Sequence, residues 1–311
     1  MRVFVIGGID MDIRGISGTH LRQREPNPGR VVMMPGGVGR NIAENLVNMG
    51  VEVELVAPFG NDNFAEELRQ DCINKNIGIK YSVFAECRSG LYLSVDDHEA
   101  EMFVSVSDMD IMEELDISHL EKIIDEMNQA DACIIEANLG IDVIEYLGEN
   151  IKVPIFADPV SVTKSEKLKS ILKNIYAIKP NGAEAASMTG IDLSSEAGVL
   201  VAAEMLVEMG VKRAFVSLGP DGMVYADGMG VGIVPAAHVH VENRSGAGDA
   251  TSATLCYAYL MGLDAEASAV LACKAAGITI QSEQRVDIDL ERLNHEDEEV
   301  DEIFEELSDL R

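Results

Sequence analysis

The chain has 311 residues and carries 54 acidic against 24 basic side chains, which gives a formal net charge of −30. This excess of negative charge argues against nonspecific binding to nucleic acids and to anionic membranes, which are polyanions themselves. The 47% hydrophobic content is enough for a substantial core, and no apolar run is long enough to span a bilayer. Met1 leads almost at once into an apolar strand, so we expect no signal peptide and a cytoplasmic protein. The five scattered Cys residues lack CxxC spacing and are expected to be reduced thiols.

Short apolar runs alternate with helical patterns along most of the chain. The runs are continuously hydrophobic, which is typical of parallel strands that are buried on both faces. The alternation predicts an α/β fold with a doubly wound, mostly parallel sheet flanked by helices. The predicted strands are 3–8, 53–57, 132–136, 155–157, 176–179 and 214–218, and the predicted helices are 38–49, 63–75, 118–128, 195–209, 246–261 and 265–281.

Two segments interrupt this rhythm with alternating, strand-like patches, of which 91–95 and 102–106 are the clearest. We therefore predict a discontinuous main domain of residues 1–13, 35–87 and 107–311, with 14–34 and 88–106 forming a small β element. In the acidic tail, apolar residues at helical spacing within 295–309 predict an amphipathic helix that packs by one face.

A first glycine-rich element, PGGVGRN at residues 35–41, precedes a helical pattern. Gly36 and Gly37 would let a ligand approach the backbone closely. Asn41 offers both a donor and acceptors, which suits vicinal hydroxyl groups of a sugar. Taken alone, the same residues favour a tight turn followed by a helix surface.

A second glycine-rich element, NRSGAGDA at residues 243–250, precedes another helical run. Gly246 and Gly248 allow a tight turn that presents backbone N–H groups, with that of Ala247, to an oxyanion at the helix N-terminus. Asp249 falls in the first turn, where it could act as a general base beside the bound phosphate. The combination of a glycine-rich anion-binding turn and an adjacent carboxylate predicts phosphoryl transfer, although acids are common near helix starts for other reasons.

The two elements, in this order and separation, resemble the signature regions of the PfkB (ribokinase-like) family of carbohydrate and nucleoside kinases. Further similar segments are GGIDMD at 7–12, FADPVS at 156–161, KPNGAE at 179–184 and SLGPDG at 217–222, so the resemblance covers nearly the whole chain. Within the family, the segments around 27–46, 107–111 and 158–164 are most similar to pseudouridine kinases.

The resemblance implies a ribokinase-like fold with a small β lid over the acceptor site. It also implies that Asp249 takes the proton of the acceptor's 5′-hydroxyl while the backbone of residues 246–248 holds the charge on the γ-phosphoryl group of ATP. The acceptor implied is pseudouridine; ribose, fructose and adenosine remain alternatives.

The remaining site residues also follow from the resemblance. Asp12, Gly37 and Asn41 would contact ribosyl hydroxyls, and Asn181 with Glu184 would organise Mg²⁺, with Glu184 acting through water. The strand-end loop beside the nucleotide phosphates would contain Ser217, Gly219 and Gly222, and contacts to the base or lid would come from Asn138, Asp108 and Lys164.

Asn243 stands where many relatives have an acid that is associated with a bound monovalent cation, so a dependence on K⁺ is doubtful. Arg244 is also unusual, and either adds a cation near the phosphates or points to solvent. A homodimer through the lid strands is a further expectation of the family. Two other readings remain: a nucleotide-binding oxidoreductase, disfavoured because residues 7–12 lack G-x-G-x-x-G, and a noncatalytic ligand-binding relative.

Overall fold

A computed structural model describes residues 1–98, 102–193, 195–236, 239–241, 245–282, 286, 288 and 292–293. The predictions for Asn243, Arg244 and the tail helix at 295–309 lie outside the described residues. The strands are β1 (Arg2–Ile6), β2 (Asp10–Ser17), β3 (Gly29–Gly36), β4 (Glu52–Val56), β5 (Pro58–Phe59), β6 (Val83–Phe84), β7 (Gly90–Asp96), β8 (Met102–Asp108), β9 (Ala132–Glu136), β10 (Ile155–Asp158), β11 (Ile175–Ile178), β12 (Arg213–Ser217), β13 (Met223–Asp227) and β14 (Gly230–Val234).

The main sheet has the order β14-β13-β12-β11-β10-β9-β1-β4. From β4 to β12 all neighbouring strands are parallel, while β13 and β14 add an antiparallel hairpin at one edge. The chain winds outward in both directions from β1, and ligands of such sheets bind at the carboxyl ends of the strands near this switch point. The predicted doubly wound, mostly parallel sheet is confirmed.

Helices cover both faces of this sheet, because strands such as Val3 to Ile6 are apolar and fully buried on either side. The helices are α1 (Val38–Asn48), α2 (Asn63–Asn74), α3 (Ile117–Leu120), α4 (Ile124–Met127), α5 (Ile141–Asn150), α6 (Val162–Ser165), α7 (Gly182–Thr189), α8 (Glu196–Glu208), α9 (Ala247–Leu260) and α10 (Ala265–Ile280). A 3₁₀ segment at Glu166–Asn174 continues α6.

The prediction of one continuous helix at residues 118–128 was wrong. Residues 118–128 form α3 and α4, separated at Ile123, whose φ of −121° departs from helical values. The break falls at the pair Ile123 and Ile124, and β-branched side chains of this kind lose rotamer freedom in a helix.

A second, four-stranded sheet of order β3-β2-β7-β8 is formed by segments close to those predicted to interrupt the main fold. Strand β2 is antiparallel to β3 and parallel to β7, and β8 returns antiparallel beside β7. Because only three residues separate the end of β1 from the start of β2, this sheet starts at the carboxyl edge of the main sheet.

Among the described residues, none of the helices combines the length and the hydrophobicity that crossing a membrane requires.

Candidate active site

Charged side chains follow three neighbouring strands of the main sheet, at the point where each strand ends. Glu136 closes β9, Asp158 closes β10 in direct register with it, and Lys179 follows β11; all three are buried. The Nζ atom of Lys179 lies 3.3 Å from Oδ2 of Asp158, which also accepts a hydrogen bond of 2.6 Å from Ser252. A cluster of buried charge therefore lies under the edge at which ligands of this sheet class bind.

Glu136 holds the turn after β1. Its two carboxylate oxygens accept backbone N–H groups of Gly8 at 2.6 Å and of Asn138 at 2.8 Å. The pKa of Glu136 is raised to about 7, mainly by burial and also by the nearby charge of Asp158, against the effect of these hydrogen bonds and of Lys164. The carboxylate thus links the first strand of the sheet to the loop after β9.

Asp249 lies in the first turn of α9, directly after Gly246, Ala247 and Gly248. Gly246 is the N-cap and has a left-handed φ of 88°. The first N–H groups of α9 have no acceptor within the helix. Oδ2 of Asp249 accepts a hydrogen bond of 2.8 Å from Nδ2 of Asn41, which belongs to α1. A half-buried carboxylate is thereby fixed beside a helix N-terminus, whose free N–H groups can bind an anion.

The pKa of Asp249 is raised to about 7, mainly by burial and also by the charges of Asp158 and Glu136, while the Asn41 hydrogen bond and the charge of Lys179 oppose the rise. A carboxylate whose pKa lies near neutrality can both accept and hold a proton under physiological conditions. These are the properties of a general base.

Lys179 lies beneath the same turn, because a Cβ atom added to Gly248 would come within 3.3 Å of its Nζ. Burial disfavours its charge, but the carboxylates of Asp158, Glu184 and Asp249 outweigh this effect and raise the pKa of Lys179. The site therefore contains a permanent buried cation under the helix N-terminus.

The first glycine-rich element packs against the start of β2. Gly36 pairs with Asp10, and a Cβ atom at Gly36 would lie 2.1 Å from Oδ2 of the buried Asp12, so a side chain there would displace this carboxylate. Gly37 is the N-cap of α1 with φ of 98°, a conformation that favours glycine. The structure thus brings Gly36, Gly37 and Asp12 together.

Asn181 and Glu184 form a capping box at the start of α7, with reciprocal side chain to backbone hydrogen bonds of 2.9 Å. Burial raises the pKa of Glu184, against its bonds to Asn181 and the charge of Lys179. A backbone bridge joins Asn181 to Ser217. These predicted residues are therefore neighbours, and Glu184 also has a structural role at the helix end.

A cavity of about 420 Å³ opens beside the N-terminus of α9. Ser217, Gly219 and Gly222 line one side of it, and Ala247 and Gly248 line another. The remaining wall is mainly apolar and includes Met223, Val239, Val241, Ala276 and Ile280. An apolar cleft with a few polar groups at one end suits a planar, partly hydrophobic ligand with an anionic tail.

The three residues predicted to contact a base lie in two places. Lys164 donates a hydrogen bond to Oδ1 of Asn138, next to Glu136. Asp108 lies at the end of β8 in the second sheet, where its side chain is 42% exposed and approaches Arg88 at 3.7 Å.

Four buried charged residues in or beside the site were not assigned a role from the sequence. They are Glu136, Asp158, Lys179 and Arg40, which directly precedes Asn41 in α1. A usable signal was present for the first three, because each charged residue comes directly after a continuous apolar strand. Arg40 carried no such signal, since a charged residue within a predicted helix is usually exposed.

The comparisons with known proteins define the class of protein, which is a phosphotransferase with an alcohol acceptor. The chain belongs to the pfkB family of carbohydrate kinases, whose family model matches residues 1–290. Pseudouridine kinase from Escherichia coli is 31% identical over 264 residues, covering 84% of each chain.

Solved structures give the same answer for the fold. A carbohydrate kinase from Agrobacterium tumefaciens superposes with a TM-score of 0.80 at 25% identity, covering 94% of this chain and 95% of the other. Ribokinase from Arabidopsis thaliana, solved with ribose and ATP, superposes with a TM-score of 0.80 at 18% identity, covering 94% and 98%. The fold is therefore ribokinase-like, as predicted.

Proposed function

We propose that the protein transfers the γ-phosphoryl group of ATP to the 5′-hydroxyl of pseudouridine. The observation that carries this proposal is the position of Asp249, whose carboxylate is held by Asn41 in the first turn of α9, next to the cavity that Gly248 lines. A base and an anion-binding helix end are thereby adjacent, as an in-line displacement requires.

Each group has a distinct task in this reaction. Asp249 takes the proton of the attacking hydroxyl, and the backbone N–H groups of Gly246, Ala247 and Gly248 stabilise the charge that develops on the transferred phosphoryl oxygens. Lys179 adds a fixed positive charge under the turn and limits the rise of the Asp249 pKa.

The nucleotide would occupy the 420 Å³ cavity, with the adenine against its apolar wall and the phosphates toward Ala247 and Gly248. Ser217, Gly219 and Gly222 would border the phosphates. The described residues contain no group of three or more His, Cys, Asp or Glu side chains that could hold a metal. Mg²⁺ commonly binds through one or two carboxylates, phosphates and water, and Glu184 with Asn181 would hold it, Glu184 through water.

The acceptor would lie against Asp12, Gly36, Gly37 and Asn41, under a lid formed by the second sheet. The buried Asp12 carboxylate can accept bonds from ribosyl hydroxyls. Asn138, Lys164 and Asp108 are the proposed contacts to the base or lid. The choice of pseudouridine rests on the similarity to the E. coli enzyme over most of both chains.

The acceptor is tested by measuring ADP release with ATP and Mg²⁺ in the presence of pseudouridine, uridine, adenosine, ribose or fructose. We expect the highest kcat/KM with pseudouridine. A preference for a free sugar or for adenosine would replace the acceptor but keep the kinase, whereas saturable binding without turnover of any acceptor would indicate a noncatalytic relative.

We further propose that two copies associate through the outer face of the second sheet, hereafter the outer lid face, made up of Val31, Met33, Leu93, Val104 and Val106. The register aligns Met33, Ile13, Leu93 and Val106 across the four strands, and it aligns Val31, Gly15, Val95 and Val104 two residues further along, so the five side chains of the outer lid face share one side of the sheet. Those five side chains are 42% to 70% exposed, and contiguous apolar patches of this kind are typical of protein interfaces.

A further inference from the structure

Arg40 is a buried arginine whose role the proposed reaction does not explain. Its side chain is only 4% exposed, and its backbone N–H donates to the carbonyl oxygen of Gly8 at 3.2 Å. It lies one residue before Asn41, in the first turns of α1. A buried guanidinium must be paired with several acceptors, so its partners indicate what it is for.

Three side-chain oxygens surround the guanidinium. Oδ2 of Asp71, on α2, accepts hydrogen bonds from Nε at 3.1 Å and from Nη2 at 2.6 Å. Oε2 of Glu44 lies 2.5 Å from Nη1 in an ion pair, and Lys75 contacts the same Glu44 carboxylate. The third oxygen is Oδ1 of Asn41, which accepts a hydrogen bond of 2.9 Å from Nη1.

The last of these contacts determines the orientation of the Asn41 amide. A guanidinium has donors and no acceptor, so only the amide oxygen can face Arg40. The amide nitrogen must then face Asp249, to whose carboxylate it donates at 2.8 Å. With the amide reversed, its oxygen would face the ionised carboxylate and its N–H₂ group would face the guanidinium, and both contacts would be repulsive.

We propose that Arg40 is a positioning residue for phosphoryl transfer: it fixes the Asn41 amide so that the amide donates to Asp249 and keeps one N–H for the acceptor's hydroxyl. The Asn41 side chain then acts only as a donor in the site, whereas the sequence predicted that it offers both a donor and acceptors. Asp71, Glu44 and Lys75 hold the guanidinium in place between α1 and α2. The inference rests on the proposed function for its catalytic meaning, but the contact itself can be tested without any substrate.

The electrostatic consequence has a definite sign. Asp249 faces Asp158, Glu136 and Lys179 from the main sheet, and Asn41 from α1. The Asn41 hydrogen bond stabilises the ionised form, so its loss raises the pKa of the carboxyl group. A purely structural clamp between α1 and α2 would leave this pKa unchanged as long as the protein folds.

The test is the titration of the Asp249 carboxyl carbon by NMR in protein labelled at aspartate, with Asp249→Asn to assign the signal. The variants are Arg40→Lys and the double variant Arg40→Met with Glu44→Gln, which removes one charge of each sign from the cluster. Arg69→Met is the matched control, because Arg69 on the outside of α2 pairs with the exposed Glu66.

We expect the titration midpoint of Asp249 to rise by roughly one pH unit in the double variant, where methionine offers no donor to Asn41, to rise less in Arg40→Lys, whose ammonium can still donate, and to stay unchanged in Arg69→Met. The acid limb of kcat should move in the same direction. An unchanged midpoint in the folded double variant would overturn the inference; if only Arg40→Lys folds, a midpoint equal to that of Arg69→Met would do so. Activity that persists in Asp249→Asn would instead overturn the proposed base, so the two failures are distinguishable.

Discussion

The two sheets of the protein differ in where they carry buried charge. The main sheet has apolar faces covered by helices and concentrates Glu136, Asp158 and Lys179 at its carboxyl edge. The second sheet buries the carboxylates of Asp10 and Asp12 at the start of β2 and exposes the apolar outer lid face. In the two sheets, most of the buried charge therefore lies where the sheets meet, which is where the proposed reaction takes place; Asp96, which pairs with Arg14 at the far end of β7, is the exception.

The largest effect is expected from Asp249→Asn, which removes the proposed general base on the main-sheet side of the site and hardly changes the shape of the side chain. Turnover should fall about 10²- to 10⁴-fold while binding of the acceptor persists. ADP release and calorimetry measure the two quantities. Asp264→Asn is the matched control, since Asp264 caps α10 in a similar position and asparagine also caps well.

Glu184→Gln tests the proposed role of Glu184 in holding Mg²⁺ on the main-sheet side of the site. Glutamine can keep the capping box of α7 but removes the charge. We expect the Mg²⁺ concentration for half-maximal activity to rise about 10- to 100-fold with an unchanged Tm. The surface variant Glu166→Gln, whose partner is Lys169, should leave the requirement unchanged. An unaltered Mg²⁺ requirement in Glu184→Gln would restrict Glu184 to the helix cap.

On the side of the second sheet, Asp12→Asn should lower kcat/KM by roughly 10- to 100-fold, because a hydrogen bond to a charged group is lost from the acceptor. Steady-state kinetics with varied acceptor measures this loss. Asp96→Asn changes a buried carboxylate of the same sheet that pairs with Arg14, away from Asp12, and provides the comparison. Equal losses in the two variants would indicate a general weakening of the sheet.

The smallest effect on chemistry is expected from Val106→Asp, which places a charge on the outer lid face. The mass in solution, measured by light scattering, should change from that of a dimer to that of the 33.6 kDa chain, with kcat reduced only about threefold or less. Met229→Asp is the control, since Met229 is 88% exposed in the main-sheet hairpin. A wild-type protein that is already monomeric contradicts the proposed interface.

The sequence predicted the buried strands well because a continuous apolar run has few structural alternatives. It did not predict α5, whose ten residues include Gly148 and begin without a side-chain cap. It placed Asn41 and Asp249 in separate elements, but their contact joins residues 208 apart and depends on how α1 packs against α9. The raised pKa of Asp249 could not be predicted for the same reason, since burial and the distance to Asp158 are properties of the folded chain.

The most direct test of the account is the pH dependence of a single turnover with saturating ATP, Mg²⁺ and acceptor. If Asp249 is the base and its pKa is raised to about 7, the rate constant should fall about tenfold per pH unit below that value and reach a plateau above it. A rate constant that stays level from about pH 5 to 8 would contradict the central claim that this carboxylate accepts the proton.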